Sequence, residues 1–189
     1  VDFDELMTYD SVLARDIIEA PDDVVRYVND AAWAQLKIEA PEYAEKIGKV
    51  VVRFRNLPET IQLRSLGSEH LGIFIMVEGI LVRATAIQPL LVKAVFKCRK
   101  CDQELSVEQT GTFLDAPLVC TNPACRRAGP FDLMEEKSDF IDSQEIRIQE
   151  KPEDLPPGQL PRWLDVKLSE DLVDVARPGD RVSITGAVK

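Results

Sequence analysis

Four cysteines are the residues of this chain whose type and spacing could do chemistry. They stand as Cys98-x2-Cys101 and Cys120-x4-Cys125, with 18 residues between the pairs. Two disulfides would need an oxidising compartment, and nothing in the sequence marks the chain as secreted. Four unrelated buried thiols would not be expected to pair at such short separations. A tetrahedral zinc ion needs four soft ligands, and two tight turns are the usual way to deliver them in pairs. In CTNPAC, Asn122 and Pro123 are turn residues, and Gly129 follows shortly after. A catalytic zinc keeps one position open for water and usually includes a histidine or carboxylate ligand. Four thiolates close the shell. The single histidine, His70 in SLGSEHLG, precedes Cys98 by 28 residues and reads as structural. The expectation is a structural zinc that staples a loop-rich insert of about 40 residues, too small to hold itself together otherwise.

Other chemistry is missing from the pattern. The sequence has no G-x-x-x-x-G-K-[ST] phosphate loop, no H-E-x-x-H and no G-x-S-x-G. Carboxylate pairs such as Glu135/Glu136 belong to a chain with 33 acids and read as solvated surface. An enzyme reading of these 189 residues has little support, and a zinc hydrolase is disfavoured by the closed thiolate shell.

The elements that must position the cysteines are β-rich. IQLRSL, GIFIMVEGILVRATAI and LLVKAVFKC lie before them, and FIDSQEIRIQE, WLDVKLSEDLV and DRVSITGAVK lie after. Gly79 interrupts the second run and suits a bulge or sharp bend. KVVVRFRNLP also reads as a strand, with Arg53 and Arg55 opposite Val52 and Phe54. EKPEDLPPGQLPR is a turn-rich loop, and ARPGDR a further turn. Short strands with a large central insertion suggest a small barrel of the OB type, though an SH3-like barrel or an open sheet would read similarly.

The first sixty residues read as helical. Leu6, Val12, Leu13, Ile17 and Ile18 suggest a short, broken helix ending at Ala20. A second begins at Pro21, carries Asp22 and Asp23 in its first turn and stops before Pro41. Its apolar stripe runs through Val24, Val28, Ala31 and Gln35/Leu36. The two would pack as a small bundle.

The formal charge of −10 is uneven: residues 1–60 carry 13 acids and 7 bases, residues 61–150 carry 13 and 10, and residues 151–189 carry 7 and 6. The bulk field therefore repels nucleic acid, and any binding needs a local basic stripe. No run approaches the ~18 apolar residues of a membrane span, and VDFDELMTYD is not a signal peptide; the expectation is an intracellular protein without a membrane partner.

Beyond these readings, RSLGSEHLGIFIMVEGILVRATAIQPLLVKAVFKC, the two cysteine pairs and FIDSQEIRIQEKPEDLPPGQLPRWLDVKLSEDLVDVARPGDRVSITG together resemble the N-terminal region of minichromosome maintenance (MCM) proteins. IRIQE, LPPGQLPR, DLVD-x-ARPGDRV and TG are specific in combination and order, and VEGI-x-x-R adds to them. VDFDEL, LARDIIEAPDDV and APEYAEK look like the family's leading helical part, so the resemblance covers nearly the whole chain. The compact segments fit an archaeal member better than a eukaryotic one.

The resemblance implies an α+β fold of three subdomains. These are an N-terminal helical bundle over 1–58, an OB-fold β-barrel over 59–96 and 139–189, and a zinc-ribbon-like insertion in the barrel over 97–138. It implies the DNA-binding, ring-forming collar of a hexameric replicative helicase acting on chromosomal DNA in the cytoplasm or nucleoid. Catalysis would belong to an AAA+ ATPase module C-terminal to this chain, and two hexamers could meet head to head through the zinc insertion. The loop Leu155, Pro156, Pro157, Gly158, Gln159 and Leu160 looks like the family's allosteric control loop, and the family's DNA-binding hairpin and last barrel strand are expected after Lys189.

OB-type surfaces hold single strands with a basic groove and aromatic platforms. Arg83, Arg147 and Arg162, on or beside barrel strands, are the leading DNA contacts, followed by Lys93 and Lys97. Each could instead pair with one of the abundant acids. Trp163, beside a strand start, reads as core rather than as a stacking residue. Arg99, Lys100, Arg126 and Arg127 form a separate basic cluster around the cysteines. A reading from another class is a zinc-stapled protein–protein module without DNA contact.

Overall fold

Asp10 splits the first apolar stretch into two helices. Its carboxylate accepts the Val12 and Leu13 N–H groups, both at 3.0 Å, and so caps the second of them. In the computed structural model, which describes residues 1–109 and 113–189, the helices are α1 Phe3–Tyr9, α2 Ser11–Glu19, α3 Pro21–Glu39 and α4 Pro41–Ile47. Pro21 and Pro41 open their helices where the missing N–H costs nothing, and Asp22 and Asp23 lie in the first turn of α3. Gly48, at φ 72°, ends α4 in the left-handed region. The expected break, start and stop are thus present. The stripe on α3 differs: Val24, Val28 and Leu36 are half-buried as expected, but Ala31 and Gln35 are exposed, and Val25, Ala32 and Trp33 complete the inward face.

The strands are β1 Thr60–Ile61, β2 Phe74–Ala84, β3 Gln88–Cys98, β4 Glu104–Glu108, β5 Phe131–Leu133, β6 Asp139–Gln149, β7 Trp163–Ser169 and β8 Arg181–Ala187. The chain forms two compact units: one of residues 1–82, 147–164 and 178–189, the other of 83–146 and 165–177.

In the first unit, Phe3, Ala14, Ile17, Phe54 and Leu57 form a buried cluster, with Val24, Val25, Val28 and Phe74 packed against it. Phe54 meets Phe3 and Phe74 edge to face, at centroid distances of 6.5 and 6.2 Å. The segment 49–58 is extended but is not the expected strand; its ladder is reduced to a single parallel bridge, Arg55 to Asp2. Its alternation is nevertheless real, with Phe54 buried and Arg53 and Arg55 exposed. Isolated groups satisfy its backbone instead: Asn29 Oδ1 accepts the Val52 N–H at 2.7 Å, and Thr185 Oγ1 donates to the Phe54 carbonyl at 2.8 Å. IQLRSL is likewise not a continuous strand, since β1 ends at Ile61 and a 3-10 turn follows over Leu63–Ser65.

β2 pairs with β1 in parallel and with β8 antiparallel, in unbroken register from Phe74↔Ala187 to Ile80↔Arg181. Gly79 therefore makes no bulge against β8. It is needed because a Cβ there would lie 2.7 Å from the Gln149 carbonyl oxygen, a close backbone approach that only glycine permits.

The second unit is centred on β3, which pairs antiparallel with β4 (Phe96↔Leu105), β5 (Cys98↔Phe131) and β6 (Leu90↔Ile141). The register with β6 shifts between Leu91 and Lys93. The buried Gln144 amide donates to the Thr85 carbonyl and accepts the Asp174 N–H, both at 2.9 Å, and so ties the segment after β7 into this unit. Among the described residues no helix is long and apolar enough to cross a membrane.

Candidate metal centre and nucleic-acid interface

Cys98 ends β3 and is buried; the chain turns back at once into β4. Asp102, at φ 56°, donates its N–H to the Cys98 carbonyl, and the Cys98 N–H reaches the Gln103 carbonyl, both at 2.9 Å. This turn delivers Cys101. The second pair is built by Asn122, whose carbonyl accepts the Cys125 and Arg126 N–H groups at 3.0 Å and whose side chain accepts the Ala124 N–H at 3.0 Å.

The four sulfurs all lie within 4.8 Å of one another, and those of Cys101 and Cys120 are 3.5 Å apart. A tetrahedron with Zn–S bonds of about 2.3 Å has edges of about 3.8 Å, so this is the spacing of a shared ion; a disulfide needs about 2.05 Å. Backbone N–H groups also point at the sulfurs: those of Lys100 and Cys101 at Cys98, of Asn122 at Cys120 and of Arg127 at Cys125. Such donors stabilise thiolate charge and orient metal ligands. The Lys100 N–H, with that of Cys101, brings the Cys98 thiol down to about 7 against the effect of burial. At Cys120 the Asn122 N–H favours the thiolate, but burial and the neighbouring sulfurs of Cys101 and Cys98 outweigh it and push that thiol up to about 12. Four thiols this close resist ionising together, and a divalent cation among them would remove that repulsion. The residues fit a metal, and with four thiolates they leave it no open ligand position.

Around this centre Arg99 binds Asp132 through Nε at 2.8 Å, Lys97 Nζ lies 3.0 Å from Asp102, and Lys137 pairs with Glu104. Two cations that the sequence offered to DNA or to a partner, Arg99 and Lys97, thus already have carboxylates. Arg83, at the end of β2, and Lys93, on β3, are exposed and belong to the same unit.

Arg147 and Arg162 belong to the other unit, where the Trp163 ring lies against Arg147. Trp163 is 63% exposed, not core, and the Arg147 Cζ lies 5.7 Å from its ring centroid. The reason is parity. In β7 the half-buried Leu164, Val166 and Leu168 share one face of the strand, while Trp163 falls with the exposed Asp165 and Lys167.

The proline-rich loop is held at its root by residues that carried no signal in the sequence. The Arg64 guanidinium donates from Nε and Nη2 to the two oxygens of Glu150, each at 2.8 Å, and from Nη1 to Gln159 Oε1 at 2.9 Å. Glu150 is 5% exposed and also accepts the Arg162 N–H at 2.9 Å. Arg162 Nη1 in turn donates to the Arg64 carbonyl at 3.3 Å. The Arg64 hydrogen bond, with help from the Arg162 N–H, holds the Glu150 carboxyl below its ordinary value although burial opposes it. Lys151–Glu78 and Glu153–Arg181 ion pairs tie down the next turn. Gly158, at φ 78°, turns the tip. Gln159 and Arg162 are therefore brought together by one bidentate ion pair, 86 residues apart in the chain.

A family model described as the MCM OB domain matches residues 62–189. Minichromosome maintenance protein MCM of Saccharolobus solfataricus is 37% identical over 191 residues, covering 98% of this chain and 28% of that protein. DNA replication licensing factor Mcm6 of Drosophila melanogaster is 34% identical over 189 residues, covering 100% of this chain and 23% of its own length. DNA replication licensing factor mcm2 of Schizosaccharomyces pombe is 34% identical, covering 93% and 21%. The chain thus spans roughly a quarter of the length of these relatives.

Proposed function

This chain belongs to the minichromosome maintenance (MCM) family, and from that premise we propose that it is the DNA-binding and hexamer-forming collar of a replicative DNA helicase. It carries the family's OB-fold domain with helices before it and a mixed sheet. The collar is not itself catalytic; ATP hydrolysis belongs to a C-terminal AAA+ module. In this reading residues 1–58 are a helical bundle, 59–96 and 139–189 the barrel, and 97–138 a zinc-ribbon-like insertion. Cys98, Cys101, Cys120 and Cys125 hold a structural zinc, which when bound supplies only a rigid cross-link between the two turns. Leu155 to Leu160 form the control loop that relays between collar and ATPase.

The observation that carries this reading is the family match over residues 62–189. Arg83, Arg147 and Arg162, with Lys93, contact the strand in a central channel, and Lys97 joins them only by exchanging Asp102 for a phosphate. An acidic chain can do this because assembly concentrates its few basic contacts. One subunit with two or three phosphate contacts binds weakly and loses affinity with salt. Six copies around one strand gain by effective concentration. The exposed Phe113 and Leu118 of the zinc-bearing segment favour a protein contact there, such as one between two rings, rather than DNA contact.

Titration of labelled single-stranded DNA at two salt concentrations tests the proposal. Arg147→Ala is expected to weaken binding and to reduce the log–log salt slope by about 0.7 for each subunit that loses its phosphate contact. An unchanged slope removes Arg147 from the contacts. Failure of the wild type to bind at low salt would leave the zinc-stapled protein–protein module as the better reading.

A further inference from the structure

Helix α3 is apolar on two faces, and among the described residues only one of them is covered. Val24, Val25 and Val28 pack against the buried cluster of the first unit. On the other side Tyr27 and Ile38 are 69% and 77% exposed, and Ala31 and Ala34 between them are exposed as well. These four stand at i, i+4, i+7 and i+11, within about 60° of one another on a helix of 3.6 residues per turn. The alternation of four and three is that of a coiled-coil seam. Alanines in the middle let a second helix approach to about 8 Å, the close end of helix packing, while Tyr27 and Ile38 clasp it at the ends. The charges beside the stripe say what covers it. Asp30 and Lys37 lie on the same flank, and neither enters an ion pair among the described residues; the Lys37 Nζ rests 5.2 Å from the Trp33 ring centroid. When two copies of α3 lie antiparallel with Ala31 against the partner's Ala34, Tyr27 meets the partner's Ile38 and Asp30 faces the partner's Lys37. Each contact then occurs twice. A parallel pair would set Tyr27 on Tyr27 and offer Lys37 no carboxylate of α3. A purely basic or purely acidic partner would satisfy one of the two charges and repel the other.

We propose that α3 is a self-association face: two copies of this chain pair antiparallel through Tyr27, Ala31, Ala34 and Ile38, in a register set by two Asp30–Lys37 ion pairs. Such a contact is isologous, so it cannot propagate around a ring; it doubles whatever unit carries it, a protomer or a ring. It does not rest on the collar reading. One pair of helices this short buries less than the ~1,200 Å² of a standard interface, so the association is weak and concentration-dependent.

Sedimentation of the chain across a dilution series, without nucleic acid, reads the pairing as mass. The mass is expected to double toward high concentration. Ala34→Glu puts a carboxylate in the middle of the seam and is expected to halve it again; Ala34 is exposed, so the circular dichroism spectrum should stay that of the wild type. Asp30→Lys and Lys37→Asp are each expected to halve the mass as well, because like charges then face each other across the seam. An equimolar mixture of these two variants is expected to restore the doubled mass, a rescue that requires the two positions to meet between different copies. A mass that does not change with concentration, or that Ala34→Glu does not lower, overturns the proposal. So does a loss in Ala34→Glu with no recovery in the mixture, since the contact would then have another geometry. Should Ala34→Glu fold poorly, the two charge variants and their mixture carry the same decision. Because no nucleic acid is present, failure here leaves the collar reading untouched.

Discussion

Cys120→Ser is expected to abolish metal binding and to melt the segment around the four cysteines. Near the site, the buried cluster consists of Cys98, Leu105 and Cys120 themselves, with Cys101, Cys125 and Phe131 packed against it. Among the described residues, four of the six that build this cluster are the cysteines themselves, so little apolar packing is left without the ion. Structural zinc sites in small peptides contribute on the order of 10 kcal/mol at neutral pH, so the loss should exceed what a core this small can offset. The expected result is about one equivalent of zinc in the wild type and none in the variant, measured by mass spectrometry of the native protein. Hydrogen exchange should accelerate at the amides of Cys98, Asp102 and Cys120, which donate at 2.9 Å to Gln103, Cys98 and Arg127 in the intact turns. Unaltered exchange in a zinc-free variant would contradict a structural metal.

The second large effect is expected at the root of the loop. Arg64→Ala leaves the Glu150 carboxylate, 5% exposed, with the Arg162 N–H as its remaining partner in that network. Removing one member of a buried pair costs more than the pair is worth, because the other charge stays desolvated. We expect a loss of about 2–3 kcal/mol, read as a fall of roughly 4–10 °C in Tm. The same change frees Gln159 at the loop tip, which loses the guanidinium that holds it. Acid should reproduce the effect in part. Because Glu150 is held below its ordinary value of 4.5, its contribution is fully present above that pH and is lost as pH falls through the lower folded value. Glu150→Gln should remove this portion of the acid limb. A Tm and acid profile unchanged by both variants would mean that the ion pair does not hold the loop.

The two sites were unequally legible. The cysteine pairs could be read directly, because metal ligation imposes short spacings that survive without any knowledge of the fold. The long strands β2, β3, β6 and β8 were legible from β-branched runs. The extended segment 49–58 was not, since its alternation of Arg53 and Arg55 against Phe54 reports one-sided burial, and burial does not require a ladder. Gly79 announced a special backbone position but not which one, because a bulge and a close approach leave the same mark in sequence. Arg64 and Glu150 were invisible: in a chain with 33 acids and 23 bases, no pattern says which two will meet. Trp163 was readable and was misread. The parity of Leu164, Val166 and Leu168 already set it on the polar face, and a rule about tryptophans at strand starts was the weaker guide.

If the collar reading holds, an acidic chain gathers its few cations by assembling around a single strand. Sedimentation of the intact protein with labelled oligothymidylate, at low and at moderate salt, tests it most directly. Six protomers to one strand are expected, with the complex retained at moderate salt because all six contribute contacts. A single protomer that leaves the strand free at both salt concentrations would contradict it.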